Sequence, residues 1–253
     1  MKKTLVVLMS LIGVASAATI SNINTTDENL VWYWDFASVT SSVGDITYKN
    51  APTVQDGYAT ISVGSGMYTE NEALDNAGLE TEKFTVSFDI RSFGSGDVFS
   101  FGAGSSNDDW KKIMLSSNPA DEETTLSLKF YGNSQSVDTG IAFGTRNEWT
   151  TITLVGVTQE VLLYVDGELK GSLDMTPATN WCDGAADGFQ FGGSFRNTGT
   201  QVALDGSVEI DNLLVYNKSL TAAEVKALVV PEPATATLSL LALAGLAMRR
   251  RRK

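Results

Sequence analysis

Apolar residues recur at every second position along much of the chain. The clearest run extends from Phe84 to Ile90, where aromatic and aliphatic residues alternate with Thr85, Ser87 and Asp89. Successive side chains of a β-strand point to opposite faces. We therefore predict a strand here with one face on a core and the polar face in solvent, and the run from Leu126 to Phe130 predicts another.

A third alternating segment changes phase in its middle. Val208 and Ile210 follow one phase, and Leu213 and Val215 follow the other. Both halves keep the two-residue period, so this segment is also predicted to be a strand.

Turn and helix signals complete the pattern. Asp166-Gly167 separates two apolar segments and predicts a two-residue hairpin, because such a turn needs positive φ angles. Helix signals are scarce, and the best one is the capping box formed by Thr221 and Glu224 before Val225. Many short strands in one long unit predict an all-β sandwich.

The N-terminus has the pattern of a signal peptide. Lys2 and Lys3 precede an apolar run from Leu5 to Val14, and Ala15-Ser16-Ala17 follows it. Small residues after a short apolar run are what signal peptidase recognises. The run is shorter than the roughly 20 residues that span a bilayer. We predict a signal peptide over residues 1–17, cleaved after Ala17, and the alternative is a buried N-terminal strand or helix.

The C-terminus carries three features in a fixed order. They are Pro231-Glu232-Pro233, the apolar segment 234–248, and the basic cluster Arg249, Arg250, Arg251, Arg252 and Lys253. A helix of fifteen residues is about 22 Å long. Terminal cations are costly to move across a membrane, so we expect the segment to stop in the inner membrane during transit with its C-terminus cytoplasmic.

In this order the three features resemble the PEP-CTERM sorting domain. The resemblance implies that residues 229–253 are a sorting tail that an exosortase, a membrane transpeptidase-like cysteine protease, recognises. Pro231, Glu232, Pro233 and the four arginines would be the sorting signal. An ordinary tail anchor is the alternative.

The unit between the two ends is strongly acidic. Residues 18–230 keep 11 of the 18 lysines and arginines and 29 of the 30 aspartates and glutamates, a net charge of −18. Nucleic acid is excluded as a partner, because its phosphates require a basic face. The chain has no histidine, which excludes histidine-based catalysis and histidine zinc sites. The single cysteine, Cys182, excludes an intrachain disulfide.

Several separated segments resemble the concanavalin A-like, laminin-G-like (LamG) jelly roll. They are Leu30 to Phe36, Glu148 to Leu154, Val161 to Gly167, and Val208 to Glu224. The resemblance implies that residues 18–228 form a jelly-roll β-sandwich of two antiparallel sheets with one short C-terminal helix. Loops at its rim would be available to ligands. In this family Trp149 and Tyr164 correspond to core residues.

Glu209-Ile210-Asp211 suggests a catalytic pair of carboxylates. Laminarinase-type glycoside hydrolases share this sandwich and carry Glu-x-Asp-x-(x)-Glu on one strand. Here Leu213 or Leu214 occupies the position of the third acid, and hydrolysis needs both a nucleophile and an acid/base. We therefore expect a non-catalytic domain, and a glycoside hydrolase is the weakest alternative.

A structural calcium ion is the one cofactor that the resemblance suggests. Families of this fold often bind calcium near the first and last strands, which makes Asp35 and Asp211 the expected ligands. Calcium requires six to eight oxygen ligands, which a sequence cannot assemble. The loop pairs Asp108-Asp109 and Asp183/Asp187 are alternatives.

Sugar recognition uses exposed aromatic faces beside polar groups. Two tryptophans lie in turn-rich stretches with such neighbours and predict a glycan site. The candidate residues are Trp110, Trp181, Asp108, Asp109, Asn180 and Asp183. The alternative is that both tryptophans are buried lids at the edge of the sandwich.

These signals together predict an exported, exosortase-sorted protein of the cell surface or extracellular matrix of a Gram-negative-type bacterium. Signal peptidase and an exosortase are the expected processing partners. The domain is expected to bind a polysaccharide, another glycan or another surface ligand. The alternative is a structural component of an extracellular matrix or envelope layer without a small ligand.

Overall fold

The computed structural model of the protein describes most of the central unit. The described residues are 18–37, 44, 52–62, 67–69, 72–80, 82–104, 110–117, 125–130, 135–142, 144, 148–176, 187–193, 204–205 and 207–231. The predicted signal peptide 1–17 and the apolar segment 234–248 lie outside them. Within these ranges no helix has the length and apolar character needed to cross a membrane.

The described residues form seventeen strands and two short helices. The strands are β1 (Ala18–Ile20), β2 (Leu30–Trp34), β3 (Thr53–Gln55), β4 (Tyr58–Ile61), β5 (Met67–Tyr68), β6 (Phe84–Ser92), β7 (Ser95–Gly104), β8 (Trp110–Ser117), β9 (Thr125–Phe130), β10 (Ser136–Ala142), β11 (Thr150–Val157), β12 (Glu160–Val165), β13 (Glu168–Asp174), β14 (Asp187–Phe191), β15 (Leu204–Asp205), β16 (Val208–Tyr216) and β17 (Val229–Pro231). The helices are α1 (Ala73–Asn76) and α2 (Ala222–Leu228).

Most strands belong to two large antiparallel sheets. Sheet I has the order β13-β12-β11-β6-β16-β4-β3, with β2 also paired to β16. Sheet II has the order β10-β9-β8-β7-β14-β5, with β15 paired to β7. Among the described strands, β1 and β17 pair only with each other, and we call this pair the terminal ladder. The two sheets enclose one core, which confirms the predicted β-sandwich.

Phenylalanine side chains fill the space between the sheets. Phe88 of β6 contacts Phe99 of β7 and Phe191 of β14, with ring centroids 5.1 and 5.0 Å away. Phe84 stacks on Phe101 with centroids 5.0 Å apart. All five rings are completely buried. The inward phase predicted for β6 is therefore confirmed.

The outer face of sheet I is buried as well, so the prediction that the polar side of β6 meets solvent is wrong. Thr85, Ser87 and Asp89 are each 0% exposed. A second apolar cluster lies on this side, and its members are Ile20, Leu30, Val155, Tyr164, Leu214, Tyr216, Leu220, Val225, Leu228 and Val229. The covered polar groups have hydrogen-bond partners on other segments: the Ser87 hydroxyl lies 2.7 Å from the Thr153 hydroxyl of β11, and the Thr85 hydroxyl donates to the Lys218 carbonyl.

A β-bulge explains the change of phase in β16. The pairing of β16 with β6 shifts between Asp211 and Leu214, and Asn212 has a positive φ of 50°. One extra residue in a strand reverses which side chains face the core. The apolar residues on both sides of the bulge therefore lie in the main core: Val208, Ile210, Leu213 and Val215.

The predicted turn and helix start are confirmed. Asp166 and Gly167 have φ values of 50° and 75°, as the two central residues of a type I′ turn require. The Thr221 hydroxyl oxygen accepts a hydrogen bond from the backbone N–H of Glu224 at 3.3 Å. In return, a Glu224 carboxylate oxygen accepts one from the Thr221 N–H at 2.7 Å, which completes the capping box.

Gly156 of β11 gives a test of the packing between neighbouring strands. It pairs directly with Phe84, and a Cβ atom at position 156 would overlap the phenyl ring. Gly156→Ala should lower the free energy of unfolding by about 1–3 kcal/mol, because a close-packed core cannot take up a methyl group without moving the ring. Urea unfolding measures the free energy of unfolding of each variant. In the double variant Gly156→Ala/Phe84→Leu the cost should be smaller than the sum of the two single costs, and strict additivity would contradict the overlap.

Candidate functional site

The outer face of sheet II carries a row of side chains from five adjacent strands. In order across the sheet the directly paired residues are Tyr68, Gln190, Ser100, Met114 and Lys129. Directly paired residues of an antiparallel sheet point to the same side. We call these five residues the central row.

Gln190 is the unusual member of the central row. Its neighbours Phe189 and Phe191 belong to the main core, so its own side chain points to the outer face. The side chain is 0% exposed, and neither its amide oxygen nor its amide nitrogen has a hydrogen-bond partner among the described residues. Leaving a buried polar group unpaired costs about 1–3 kcal/mol. A buried amide without a partner among the described residues can be satisfied by an ordered water, or by a ligand that displaces the groups covering it.

The rest of the central row supplies mixed chemistry around this amide. Ser100 is completely buried and brings a hydroxyl group, and Met114, 7% exposed, brings an apolar thioether. Tyr68 and Lys129 are half-buried and stand on either side. Together these groups provide hydrogen-bond donors, acceptors and apolar surface, the combination found in sites for polar small molecules.

The predicted glycan residues lie mostly outside the described residues. Those outside are Asp108, Asp109, Asn180, Trp181 and Asp183. Trp110 is the first residue of β8, and its backbone pairs with Gly104, while its side chain is outside the described part. Strand β8 also carries Met114 of the central row. The glycan site at these residues stays a prediction.

Asp35 and Asp211, the predicted calcium ligands, lie close enough to interact electrostatically. The pKa of Asp211 is raised to about 7, mainly by burial and also by the negative charges of Asp89 and Asp35, while a hydrogen bond from the Asn212 N–H acts in the opposite direction. Burial, with help from the same three carboxylates, raises the pKa of Tyr33 to about 12.

Asp89 is the completely buried member of this acidic cluster. Its carboxylate accepts hydrogen bonds from the Ile20 N–H at 3.1 Å, the Thr151 hydroxyl at 2.5 Å and the Asn212 side-chain amide at 2.9 Å. Burial raises the pKa of Asp89 to about 6, although these three donors act in the opposite direction. Both oxygens of the carboxylate are therefore already engaged within the protein.

The described residues do not bring together the number of oxygen ligands that a calcium ion needs. Calcium takes six to eight oxygen ligands. One oxygen of Asp35 accepts from the Ala37 N–H, and one oxygen of Asp211 accepts from the Asn212 N–H. Within the described ranges no group of three or more His, Cys, Asp or Glu residues is arranged to hold a metal ion. Calcium binding by Asp35 and Asp211 stays a prediction.

Glu209, the other acid of the suspected catalytic pair, is held in an ion pair. Its carboxylate lies 2.8 Å from Nε of Arg91. The Arg91 guanidinium also lies 4.6 Å from the ring centroid of Tyr58 and 4.7 Å from that of Trp149. Trp149 is half-buried in this surface cluster, so its assignment to the core is wrong. Tyr164, at 4% exposure, is in the second apolar cluster, as expected for a core residue.

Two family models match the sequence. Residues 64–226 match the concanavalin A-like lectin/glucanases superfamily, and residues 229–253 match the PEP-CTERM protein-sorting motif. A search of curated protein sequences gave no match.

Solved structures share the fold at low sequence identity. Domain 4 of AbnA, a GH43 extracellular arabinanase from Geobacillus stearothermophilus in complex with arabinotriose, is 19% identical with a TM-score of 0.57, covering 84% of this chain and 98% of that one. Trypanosoma rangeli sialidase in complex with the inhibitor DANA is 16% identical with a TM-score of 0.54, covering 79% and 32%. The binding domain of botulinum neurotoxin DC in complex with SialylT is 12% identical with a TM-score of 0.54, covering 81% and 52%. At these identities the similarity shows the fold alone.

The acidic cluster predicts a pH-dependent stability. The pKa of Asp211 in the folded protein is raised to about 7, above the value of about 3.9 for an unfolded aspartate. Its contribution to stability is therefore present at low pH and lost as the pH rises through 7. Asp211→Asn removes the charge and keeps the shape. The free energy of unfolding of this variant, minus that of the wild type, should rise by about 1 kcal/mol from pH 5 to pH 8. The expected rise is modest because solvent reaches the side chain.

Urea unfolding at the two pH values, in a chelator, measures this difference. Asp138→Asn, at an exposed position of β10, is the matched control and should show no such gain. A gain of the same size in both variants, or none in Asp211→Asn, would contradict the role of the cluster. Repeating the wild-type measurement with calcium tests the predicted ligands, since calcium binding would raise stability in the wild type and not in Asp211→Asn.

Proposed function

This chain belongs to the concanavalin A-like lectin/glucanases superfamily, and we propose that it is a non-catalytic surface protein that binds a neutral glycan on the outer face of sheet II. The PEP-CTERM motif at residues 229–253 marks the chain for export to the cell surface and for exosortase processing. The observation that carries the glycan proposal is the buried amide of Gln190, which has no hydrogen-bond partner among the described residues.

The chemistry of the central row suits a sugar. A glutamine amide both donates and accepts hydrogen bonds, so it can pair with two hydroxyl groups of one sugar ring. Ser100 lies opposite Gln190 on the next strand, so the two side chains are on the same side of the sheet. The Tyr68 ring, half-buried at the end of the row, offers apolar surface for the C–H face of a sugar.

Charge favours a neutral ligand over an anionic one. Residues 18–230 carry a net charge of −18, which repels acidic polysaccharides. The similar arabinanase domain has arabinotriose, a neutral sugar, bound in its structure. The similar sialidase and neurotoxin structures hold DANA and SialylT instead, so the proposal of a neutral ligand rests on the charge of the domain.

Trp110 and Trp181 remain in the proposal as candidate stacking residues. Trp110 lies four residues from Met114 along β8, a distance of about 13 Å in an extended strand. An oligosaccharide is long enough to reach from one position to the other.

A non-catalytic role fits the surroundings of the two acids on β16. Glu209 is engaged by Arg91. Leu213 and Leu214, which occupy the position of the missing third acid, are completely buried in the main core and the second apolar cluster. No acid/base can act from either position.

Gln190→Met tests the glycan site directly. It should weaken binding to neutral polysaccharides about tenfold or more, since one to two hydrogen bonds are lost. It should leave the stability of the protein unchanged or higher, because an apolar side chain of similar shape replaces a buried unpaired amide. A glycan array followed by calorimetry measures affinity, with and without calcium, and urea unfolding measures stability.

Gln55→Met is the matched control, because Gln55 is an exposed glutamine of β3 in sheet I. Unchanged affinity in Gln190→Met would remove the proposed site. A wild-type protein that binds no glycan would favour the alternative of a structural matrix component.

Trp110→Ala and Trp181→Ala distinguish a stacking role from a buried one. Weaker glycan binding at unchanged stability indicates stacking, and a loss of about 3–5 kcal/mol in stability indicates a buried lid.

A further inference from the structure

The terminal ladder joins the two ends of the described chain. Strand β1 pairs antiparallel with β17 in the register Ala18 with Pro231, Thr19 with Val230 and Ile20 with Val229. The ladder is short, with three residues in each strand.

The ladder is also fastened to the body of the domain. The Ile20 N–H donates to the buried Asp89 carboxylate at 3.1 Å, and the Ser21 N–H donates to the Leu228 carbonyl at 3.1 Å. Ile20 and Val229 are 4% and 5% exposed and belong to the second apolar cluster. The ladder is therefore part of the folded domain.

Its register brings the residue after the predicted signal peptidase site next to the start of the sorting signature. Ala18 directly follows the predicted signal peptidase site after Ala17. Pro231 is the first residue of the Pro-Glu-Pro signature in the matched sorting motif. Only residues 232 and 233 separate the ladder from the apolar segment 234–248.

We propose that the terminal ladder is a clasp that shields the sorting motif, so that exosortase processing requires β17 to separate from β1. Enzymes and binding domains that take an extended peptide engage its backbone N–H and C=O groups and its alternate side chains. In β17 part of that backbone is already paired with β1, and the Val229 side chain is buried. The residues before the motif cannot enter a protease cleft in this state.

The clasp can open without unfolding the sandwich. A two-stranded ladder of this length is marginally stable by itself, and such elements open locally at a lower free energy than the core. The rate of tail removal then depends on the local stability of the ladder. This inference rests on the sorting motif and the predicted signal cleavage and is independent of the glycan site.

A disulfide across the ladder tests the clasp. Thr19→Cys and Val230→Cys change two directly paired residues, and the Cα atoms of such pairs are about 4.5–5.5 Å apart, a separation that a disulfide can bridge. With Cys182→Ser as background, the exported protein should form this bond in an oxidising compartment. In a host with an exosortase, we expect at least tenfold slower tail removal, measured as retention of residues 249–253 by intact mass in a pulse-chase. Thr53→Cys/Thr60→Cys, which links β3 and β4 in the same background, should be processed at the wild-type rate.

The opposite change should accelerate processing. Ile20→Ala removes a buried anchor of β1 and should increase the rate of tail removal severalfold. Ile141→Ala is the matched control, because Ile141 is also 4% exposed but lies in the main core on β10. If the disulfide variant Thr19→Cys/Val230→Cys is processed at the wild-type rate, the proposal is overturned. Equal acceleration by both alanine variants would also overturn it. The two disulfide variants test the proposal even if an alanine variant folds poorly.

Discussion

The buried carboxylate of Asp89 ties four strands of the domain together. Strand β6 carries it, and Thr151 of β11, Asn212 of β16 and Ile20 of β1 each donate a hydrogen bond to it. Taking a carboxylate out of water is costly unless donors replace the water. The three donors replace it only in part, which is why the pKa of Asp89 is raised to about 6. This network fixes β1, and β1 in turn fixes β17, so the path of the chain into the sorting motif depends on one side chain of β6.

Asn212 reaches Asp89 because of the bulge in β16. Its positive φ of 50° is a conformation that asparagine tolerates better than most residues. On the edge away from β6, β16 pairs with β4 before the bulge and with β2 after it. The one inserted residue thus keeps apolar side chains on the core side of β16 and separates the part paired with β4 from the part paired with β2. It also places Asn212 where it can donate a hydrogen bond to Asp89.

The sequence predicted those features that neighbouring residues decide: the alternation of β6, the Asp166-Gly167 turn and the capping box at Thr221. It failed where burial depends on distant segments. The polar side of β6 looks solvated in sequence, yet it is covered by residues such as Ile20, 69 positions away from Asp89. Gln190 was not predicted as a site residue for the same reason. A polar residue between two phenylalanines resembles any solvent-facing strand position, and only the pairing with neighbouring strands places it in the middle of a face.

The two outer faces of the sandwich differ in a way that links the two proposals. The outer face of sheet I carries α2 and the terminal ladder, which contains the last described residue, Pro231. The outer faces of two packed sheets point in opposite directions. The central row on the outer face of sheet II therefore points away from the terminal ladder. Opening of the ladder would leave the central row undisturbed, since the main core separates the two.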